Sequence, residues 1–485
     1  MNRRQCNRVL LGGTLGLALN PSHTLLAATQ KSEGSSHNLE EAVHKYSNLV
    51  HWWQDLCKGP RPKVPTKLTK KEDDAFLEDI ERRAFRFFWE QGDAHTGLVL
   101  DRARADGSPV VGHSFHVASI ASTGFGLTAL CIGASRGWIT QDEARDRVRA
   151  TLRFFADRAT QVHGWYYHFL DSATGERKWN CELSSIDTAL LLGGILTARQ
   201  KFPDDSEIVR TATRIYNRVD FPWMCNQSTT LLSMGWRPET GFIRASWNMY
   251  AEETMLYLLG IGSPTHPLPA ESWHAWKRTW TDYAGFRFLN FAPLFSHQYS
   301  HAWIDYRNRF EPNPPYVNYF INSIAATLAN RAFCMQLSRR FPGYGPNVWG
   351  ITASDSAHGY TAWGTVPVVD HIDGTVVPCA AGGSLMFTPE ICVAALSTMK
   401  RNFGEGQLHG KPIWGRYGFV DSFNPNTGWV DTDVLGIDLG ITLLSAENAR
   451  TGNVWRWFMA NPEPVKALEM VGLRRRRPAP QGRQG

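Results

Sequence analysis

Residues 72–90 read EDDAFLEDIERRAFRFFWE, and this stretch sets the pattern for most of the chain. Its apolar residues recur every three or four positions, which is the spacing of one face of an α-helix. The residues on this face are Phe76, Ile80, Ala84, Phe87 and Phe88. We therefore predict a helix that buries one side. Comparable helical patterns lie near residues 117–135, 140–158, 185–202, 205–219, 248–260, 270–283, 316–340, 388–402 and 436–450.

Two of these predicted helices begin with the spacing of a capping box, Thr140 with Glu143 and Ser184 with Asp187. The connectors between helices are long and rich in Gly, Pro, Trp and Tyr, and strict strand alternation is rare. An array of many helices forms either an open solenoid or a closed toroid. Because no sequence repeat is visible, we predict the closed form, an all-α toroid whose loops surround one central cleft.

Composition and charge exclude several classes of protein. The chain has 485 residues, of which 43% are hydrophobic and 20% charged, as in a globular protein with a large core. No apolar run approaches the ~20 residues of a membrane span. The net charge of +6 comes from the two ends, since the remainder holds 43 basic and 45 acidic residues. A nucleic-acid-binding face is therefore not expected.

The two ends differ from the body in composition. Residues 1–28 combine Arg3 and Arg4 with a short apolar stretch, which is typical of an export signal. The arginine pair partly matches a twin-arginine signal, and the alternative is an ordinary secretory signal. We expect a periplasmic or secreted protein, with an extension over 29–69, one large domain over 70–472 and a disordered basic tail over 473–485. The eight cysteines show no zinc spacing and most are expected to be buried.

Tryptophan is the unusual component of the sequence. There are 19, and many stand in predicted loops beside Gly, Asn, His or acidic residues. A flat aromatic face next to polar groups is how proteins hold pyranose rings. The alternative for any single tryptophan is that it fills the core, but the set as a whole favours a carbohydrate cleft.

Cleavage of a glycosidic bond needs two carboxyl groups, and the sequence offers four candidates. Glu252, in SWNMYAEETMLY (246–257), is expected in the first turn of a helix, where it could instead serve only the helix dipole. Glu182 and Asp187 flank the helix start at Ser184, and Asp187 has the alternative of completing the cap. Asp421, in WGRYGFVDSFNP (414–425), lies among aromatic residues, with a salt bridge to Arg416 as the alternative.

Segment 294–307, LFSHQYSHAWIDYR, is dense in hydrogen-bonding groups. His297 and His301 would share a helix face and could form half of a metal site. Because no third ligand stands at a standard spacing, a polar wall of the cleft is favoured and no metal or cofactor is predicted. The Gly-rich segments 352–364 and 373–384 are not phosphate loops, and no nucleophile elbow is present.

Taken together, ordered motifs over about four fifths of the chain resemble the glucoamylase-like family of bacterial proteins, which includes endo-β-1,2-glucanases and a domain of cyclic β-1,2-glucan synthases. The resemblance implies an (α/α)6 toroid in a single large domain and hydrolysis of a β-glucan. The motifs that carry it are RAFRFFWE (83–90), ASTGFGLTAL (121–130), CELSSIDTALLLGGIL (181–196), MGWRPETGF (234–242), YAEETMLYLL (250–259), GSPTHPLP (262–269), PLFSHQYSHAWIDYR (293–307), GITASD (350–355), DGTVVPCAAGGS (373–384), YGFVDSFNP (417–425) and GIDLGITLLSAEN (436–448).

By motif, the resemblance implies that Glu252 is the general acid, that Asp421 is a base or essential carboxylate, and that Glu182 and Asp187 belong to the same cluster. It also implies an inverting reaction. One departure is Asn180, where the family pattern has a further acid, and this bears on the substrate. The residues expected to bind the glucan are Trp247, Tyr250, His297, Gln298, Asp305, Arg307, Trp349, Asp355, Trp363, Phe423 and Asn424.

Two rival functions remain open on the sequence. A sugar epimerase on the same toroid would use histidines, such as His297 and His301, as proton carriers. A non-catalytic glycan-binding protein would keep the cleft without using the acid pair. Linkage, endo or exo action and oligomeric state cannot be derived from the sequence.

Overall fold

The computed structural model describes residues 70–311, 316–363, 366 and 371–475. The predicted signal (1–28) and extension (29–69) lie outside these residues. Within them the chain forms an (α/α)6 toroid, as predicted. Its helices are α1 Lys71–Glu90, α2 Ile120–Arg136, α3 Gln141–Arg153, α4 Ser185–Lys201, α5 Ser206–Arg218, α6 Phe221–Met224, α7 Thr254–Gly262, α8 Ser272–Ala275, α9 Tyr299–Trp303, α10 Tyr319–Leu337, α11 Pro378–Gly382, α12 Pro389–Phe403, α13 Gly436–Arg450, α14 Asn453–Phe458 and α15 Pro462–Met470.

Short strands occupy the connectors and pair antiparallel, mostly in twos. The strand β6 joins β7 and β8 in one three-stranded sheet, and β1 joins the distant β16. The strands are β1 Arg102–Arg104, β2 Val117–Ser119, β3 Gln161–Val162, β4 Trp165–Tyr166, β5 Phe169–Asp171, β6 Leu183–Ser184, β7 Gly235–Arg237, β8 Gly241–Phe242, β9 Trp280–Tyr283, β10 Phe286–Leu289, β11 Arg309–Phe310, β12 Trp414–Gly415, β13 Gly418–Phe419, β14 Phe423–Asn424, β15 Trp429–Val430, β16 Asp433–Leu435 and β17 Arg474–Arg475.

The two rings of helices differ in their burial. Helices α2, α4, α7, α9, α11 and α13 are apolar around most of their circumference and are almost wholly buried, so they form the inner ring. Helices α1, α3 and α5 bury one face and expose the other, as outer helices do. The adjacent inner helices α2 and α4 approach closely at glycines, because a Cβ on Gly194 would lie 2.1 Å from the carbonyl oxygen of Gly124.

The ring closes where α13 packs against α1 and α2. Ion pairs join these helices near the C-terminal ends of α2 and α13. Arg136 Nη2 lies 2.6 Å from Glu447 Oε2, and Arg450 contacts Glu81 and lies 2.7 Å from Glu78 Oε2. We call this group, with Asp74, the closure cluster. It connects the beginning and the end of the described domain.

Most of the predicted helices are confirmed, including the capping box of Thr140 and Glu143. The prediction for 270–283 is wrong, since only α8 is helical and β9 then pairs with β10. The reason is local. Threonines and aromatic residues flank a two-residue turn in which Ala284 and Gly285 both have a positive φ, as a tight hairpin requires.

Three further expectations concern the rest of the chain. The six cysteines in the described residues are all buried. No helix in that part of the chain has the length and apolar character needed to cross a membrane. The prediction of a disordered tail from residue 473 is wrong for Arg474 and Arg475, which form a strand with Arg309 and Phe310, and its remainder over 476–485 lies outside the described residues.

Candidate active site

Carboxylates gather where the inner helices begin. Asp187 lies in the first turn of α4, Asp438 in the first turn of α13, and Glu252 two residues before α7. The backbone carbonyl of Asp101 accepts a hydrogen bond from Gly436, the first residue of α13. Helix N-termini carry partial positive charge and stabilise nearby carboxylates. We call this group of carboxylates the acid rim.

One side of the acid rim is organised around a histidine. His168 Nδ1 lies 3.1 Å from Glu182 Oε1, and its Nε2 lies 3.4 Å from Asp187 Oδ2. Arg237 donates to the second oxygen of Glu182 at 3.0 Å, and the Ser184 hydroxyl donates to Asp187 at 2.5 Å. The imidazole of His168 thus lies between the carboxyl groups of Glu182 and Asp187, and both predicted residues lie in the rim.

An arginine links this side of the rim to the other. Arg102 Nη1 lies 2.7 Å from Asp355 and 3.5 Å from Asp433, and its Nε lies 3.5 Å from Asp101. Asp355 in turn donates its backbone N–H to Asp421 at 2.7 Å. The predicted residue Asp355 is thus in direct contact with the candidate base, although through its backbone.

The far side of the rim has an excess of acids. Carboxylate oxygens of Asp355, Asp421 and Asp431 lie within 4.8 Å of one another. Burial raises the pKa of Asp421 well above its usual value, and the neighbouring carboxyls of Asp438, Asp355 and Asp431 raise it further. Burial also raises the pKa of Asp431 to about 7, with Asp355 adding to the effect.

Asp421 and Asp431 have no basic side chain within 4.0 Å in the described part of the chain. Arg416, the alternative partner of Asp421, pairs instead with Glu90 at 2.6 Å. Among the described residues, the three clustered aspartates are the set spaced to hold a cation. Three oxygens are fewer than the six to eight that Ca²⁺ takes, so these aspartates alone would not complete such a site.

Glu252 lies in a turn rather than inside a helix, which corrects the prediction that it falls in a first helical turn. Its carbonyl accepts from the Ser300 hydroxyl at 2.7 Å, and its side chain is 6% exposed. The adjacent Glu253 is fully buried, and this burial raises its pKa to about 8. The two neighbours therefore differ, since Glu253 is neutral at pH 7 and closed to solvent.

The two histidines predicted at the cleft are internal. His297 Nδ1 lies 3.1 Å from the Tyr250 hydroxyl, to which Asn322 also donates. The other histidine, His301, lies 3.1 Å from the Ser323 hydroxyl. Burial lowers the pKa of both imidazoles to about 3, so both are neutral. Both histidines lie in the protein interior near the start of α7. Their burial disfavours the epimerase alternative, in which they would have to reach the substrate.

Asp305 and Arg307 are not at the rim, contrary to the prediction. Arg307 pairs with Asp305 and stacks 4.0 Å from the ring of Trp455, in α14. Trp455 follows the C-terminus of α13, whereas Asp438 is near its N-terminus, and the 15-residue helix separates them by ~20 Å. Gln298 is also buried and donates to Ala380 and Ser384.

The predicted aromatic platforms are buried too. Trp349 and Phe423 are fully buried, and Trp247 and Trp363 are 4% exposed, so their ring faces are packed rather than offered to a sugar. The Trp247 indole donates to Ser185 at 2.9 Å and thus helps to join the starts of α4 and α7. The remaining predicted residue, Asn424, donates to Asp373 and accepts from Asn426, which fixes a turn.

Sequence reasoning missed Asp101, Arg102, His168 and Asp431 as members of the rim. Three of them precede or follow short strands in connectors, where no periodic pattern singles them out. The signal available for Asp431 was its spacing in WVDTDV (429–434), two acids close after Asp421. His168 shows no comparable signal, since its partners are 14 and 19 positions away.

Comparison with known proteins agrees with this architecture. A family model described as "Putative glucoamylase" matches residues 244–462. The exo β-1,2-glucooligosaccharide sophorohydrolase (non-reducing end) of Parabacteroides distasonis is 28% identical over 442 residues. That match covers 82% of this chain and 58% of the relative, so the chain spans little more than half the length of this curated relative.

Solved structures extend the likeness over the toroid. The endo-β-1,2-glucanase of Chitinophaga pinensis, in complex with sophorotriose and glucose, superposes with a TM-score of 0.76 at 28% identity, covering 82% of this chain and 98% of that one. The β-1,2-glucanase of Parabacteroides distasonis gives 0.74 at 26% identity, covering 82% and 60%. These matches confirm the resemblance that the ordered motifs indicated, and the chain is similar to the glucoamylase-like proteins.

Proposed function

We propose that this chain is a glycoside hydrolase that cleaves β-1,2-linked glucan by carboxylate acid–base catalysis. The observation that carries the proposal is the acid rim, in which the buried Asp421 and the half-buried Asp431 lie among other carboxyls, with no basic side chain within 4.0 Å in the described residues. Glycosidases need a carboxyl group that holds or takes up a proton near neutral pH. The names of the related β-1,2-glucanases support the choice of substrate.

In the proposed reaction Glu252 donates its proton to the glycosidic oxygen of the leaving sugar. Asp421 takes a proton from water, directly or through a sugar hydroxyl, as the water oxygen bonds to the anomeric carbon and the glycosidic C–O bond breaks. The surroundings of Asp421 suit a base. Because three neighbouring carboxyls repel its negative charge, proton uptake relieves the repulsion and strengthens Asp421 as an acceptor.

Glu182 and Asp187 take a different part in this proposal. Both lie beside His168, Arg237 donates to Glu182, and the Ser184 hydroxyl donates to Asp187. Their carboxyl oxygens are thus already engaged by neighbouring side chains. We assign them to shaping the cleft wall, where Glu182 accepts hydrogen bonds and holds His168 in place.

The first experiment is product analysis on linear β-1,2-glucan, with β-1,3-glucan and starch as controls. We expect short sophoro-oligosaccharides from the first substrate alone. An ¹H NMR time course of the new reducing end is expected to give the α-anomer first, as an inverting reaction on a β-linkage requires. The β-anomer as first product would exclude the water-activating role of Asp421. Oligosaccharide affinity with no product would identify a glycan-binding protein instead.

The chain offers a matched pair for the acid. We expect Glu252→Gln to lower kcat by about 10³-fold, the usual scale for loss of a catalytic proton donor. Glu253→Gln is the control, because its burial raises the pKa of Glu253 to about 8 and the residue is already neutral at pH 7. Equal activity in the two variants would remove Glu252 from the mechanism.

We also propose that the protein acts outside the cytoplasm. Residues 1–28 have the charged start and short apolar stretch of an export signal. A polymeric glucan reaches an enzyme on the outer side of the membrane without needing transport. Cell fractionation of the full chain and of a form with Arg3 and Arg4 both replaced by Lys tests the proposal. Retention of the second form alone would indicate the twin-arginine route.

A further inference from the structure

The last described strand brings arginines together at the end of the toroid opposite the acid rim. Arg474 and Arg475 form β17, in which Arg475 lies directly opposite Arg309 of β11. Arg307 precedes β11 by two positions and stacks on the ring of Trp455, which lies beyond the C-terminus of α13. We call β11, β17 and Arg307 the basic ribbon. The proposed function leaves these arginines without a role.

The positive charge of the basic ribbon is only partly balanced. Among the described residues, Asp305 supplies the one carboxylate within 4.0 Å of the four arginines, and it lies 2.8 Å from Arg307 and 2.9 Å from Arg475. Arg309 donates to two backbone carbonyls instead. The exposed charges on the neighbouring helix α15 are of opposite sign, Lys466 and Glu469. Because the sequence continues with two more arginines and holds no acid over 473–485, this end of the protein has an excess of positive charge.

Two exposed apolar side chains lie next to the basic ribbon. Tyr316 is 58% exposed and Met470 is 44% exposed, and they are two of the four large apolar side chains exposed to this degree in the described residues. The other two lie in the connector between β1 and β2. The backbone N–H of Glu311, directly after β11, donates to the carbonyl of Val317 at 3.0 Å, so Tyr316 lies beside the end of β11. Met470 ends α15, four residues before β17 begins.

The backbone holds the ring of Tyr316 out in the solvent at a cost. Tyr316 has a φ of 57°, a left-handed conformation that is rare for an aromatic residue. Such conformations cost free energy and persist where the surrounding structure imposes them, often where a protein binds something. The ring gains little from burial within the protein itself. The strain and the exposure are both explained if this ring contacts a partner.

We propose that the basic ribbon docks the protein on an anionic membrane surface, with its arginines at the lipid phosphates and with Tyr316 and Met470 at the level of the headgroups. A guanidinium binds phosphate through paired hydrogen bonds, and clustered basic residues are attracted to anionic lipids. Aromatic and apolar side chains gain free energy at the interface between membrane and water. A soluble polyanion would account for the arginines but not for the exposed apolar pair.

Docking by this face suits the position of the candidate active site. The 15 residues of α13 separate the acid rim from this end of the toroid by ~20 Å. A docked protein therefore holds the cleft away from the lipid and open to a polymer in solution. The inference goes beyond the proposed function and does not depend on it.

Vesicle sedimentation tests the docking surface on the protein as it is recovered from cells. The vesicles contain phosphatidylcholine alone, or phosphatidylcholine and phosphatidylglycerol at about 2:1. We expect the parent protein to bind the anionic vesicles more tightly than the neutral ones. We also expect about 1 M salt to release most of it, because charges are then screened beyond about 3 Å.

The arginines are tested against a matched pair elsewhere on the surface. Arg474→Gln combined with Arg475→Gln should weaken binding to anionic vesicles by about 30-fold, at roughly fivefold for each arginine. Arg474→Lys combined with Arg475→Lys keeps the charge and should bind nearly as the parent does. The control is Arg244→Gln combined with Arg339→Gln, which removes the same charge from two exposed arginines without an ion pair in the described residues. Its binding should equal that of the parent.

The apolar pair distinguishes a membrane from a soluble polyanion. Tyr316→Asn suits the left-handed backbone, which Asn adopts more readily than most residues, and should weaken vesicle binding by about three- to tenfold. Phe115→Asn removes a ring that is 53% exposed in the connector between β1 and β2 and should leave binding unchanged. Unchanged vesicle binding in Tyr316→Asn would overturn the insertion of this ring.

Other results would overturn the docking surface as a whole. These are parent protein that does not sediment with anionic vesicles, and equal binding by the two glutamine pairs. Binding to dextran sulfate that depends on Arg474 and Arg475, without binding to vesicles, would replace the membrane by a soluble polyanion. Cleavage of β-1,2-glucan is assayed in parallel. Ribbon-dependent vesicle binding by protein that cleaves no glucan would support the docking surface and reject only the proposed function.

Discussion

Two groups of buried acids stand at opposite ends of the same helices, and they are neutralised in different ways. In the closure cluster every acid contacts an arginine, as Glu447 does with Arg136 and Glu81 with Arg450. In the acid rim, Asp421 and Asp431 contact other carboxyls and no basic side chain among the described residues. Burial raises the pKa of an acid in each group, to about 8 for Glu81 in the closure cluster and to about 7 for Asp431 in the rim. The difference lies in the neighbours, which are arginines at one end and other carboxyls at the other.

This difference separates a structural use of acids from a chemical one. A group of acids held by arginines resists rearrangement, because a buried charge that loses its partner is costly. A carboxyl crowded by others exchanges its proton readily and is available for catalysis. We therefore expect substitution of an acid in the rim to lower activity, and substitution in the closure cluster to lower stability.

The largest expected effect is on activity at the rim. Asp421→Asn should lower kcat by about 10³- to 10⁴-fold, because the amide cannot accept the proton from water. Its free energy of unfolding should stay the same or rise, since a repelling carboxyl is removed. Steady-state kinetics and urea denaturation measure the two quantities. Glu447→Gln, the counterpart in the closure cluster, should lower the free energy of unfolding and leave kcat unchanged. If the two variants changed kcat and stability in the same way, the comparison would be wrong.

The next effect is on stability at the closure cluster. Arg450→Met should lower the free energy of unfolding by about 1.5–3 kcal/mol, because Glu78 and Glu81 lose the guanidinium that donates hydrogen bonds to their carboxyl oxygens. Arg456→Met, on the exposed side of α14, is the matched control and should change it little. Chemical denaturation of both variants at pH 7 is the measurement. A loss below about 1 kcal/mol would show that the cluster behaves like a surface network.

A third effect depends on pH. Burial raises the pKa of Asp431 to about 7 in the folded protein, so the folded state binds a proton that the unfolded state releases near pH 4. The protein therefore loses stability as pH rises from 4 to 7. Asp431→Asn does not titrate, so we expect its advantage over the parent to grow by on the order of 4 kcal/mol across this range, at about 1.4 kcal/mol per pKa unit, and then to level off.

Thermal unfolding at several pH values tests this dependence. Asp433→Asn is the control two residues away, since its carboxylate pairs with Arg104 at 2.8 Å. We expect that variant to be less stable than the parent at pH 7. Parallel pH profiles for the parent and Asp431→Asn would mean that the carboxyl is ionised and paired, as in the closure cluster.

The smallest effect lies outside both groups and sets the scale. Thr140 caps α3 and accepts from the backbone N–H of Glu143 at 3.1 Å. Thr140→Ala should lower the free energy of unfolding by about 1 kcal/mol, the usual value for a lost N-cap. Thr140→Ser keeps the hydroxyl and should preserve most of the stability. A loss as large as that of Arg450→Met would show that the ion pairs of the closure cluster stabilise the protein no more than an ordinary helix cap does.

The sequence predicts the helices well because helical spacing and caps are local. The start of α4 at Ser184 and the amphipathic α1 follow from a few neighbouring residues. The prediction failed at 270–283 because a turn of two residues with positive φ outweighed a mixed pattern. Helix α7 begins at Thr254, two residues after Glu252, so Glu252 lies in the turn that precedes the helix.

The site was harder to predict, because its members meet only when the ring closes. Asp421 and Asp355 were found from their aromatic and Gly-rich surroundings, and they do lie together. Asp305 and Arg307 show similar surroundings but lie at the other end of the toroid, since the sequence does not say which loop faces which end. Aromatic residues misled for a related reason, because a ring such as Trp349 in a loop can still be fully buried.

The packing of α13 against α1 joins the beginning and the end of the described domain, so it can form only after most of the chain has been synthesised. Glu81 and Arg450 are 369 positions apart, so at about 5–20 residues per second roughly 20 to 70 seconds pass between their synthesis. During that interval α1 and α2 have no α13 to cover them, and Asp421 has not been joined to the strands that carry Asp101. The acid rim is therefore incomplete until most of the chain has been made, and the apolar residues of the first helices stay uncovered during that interval.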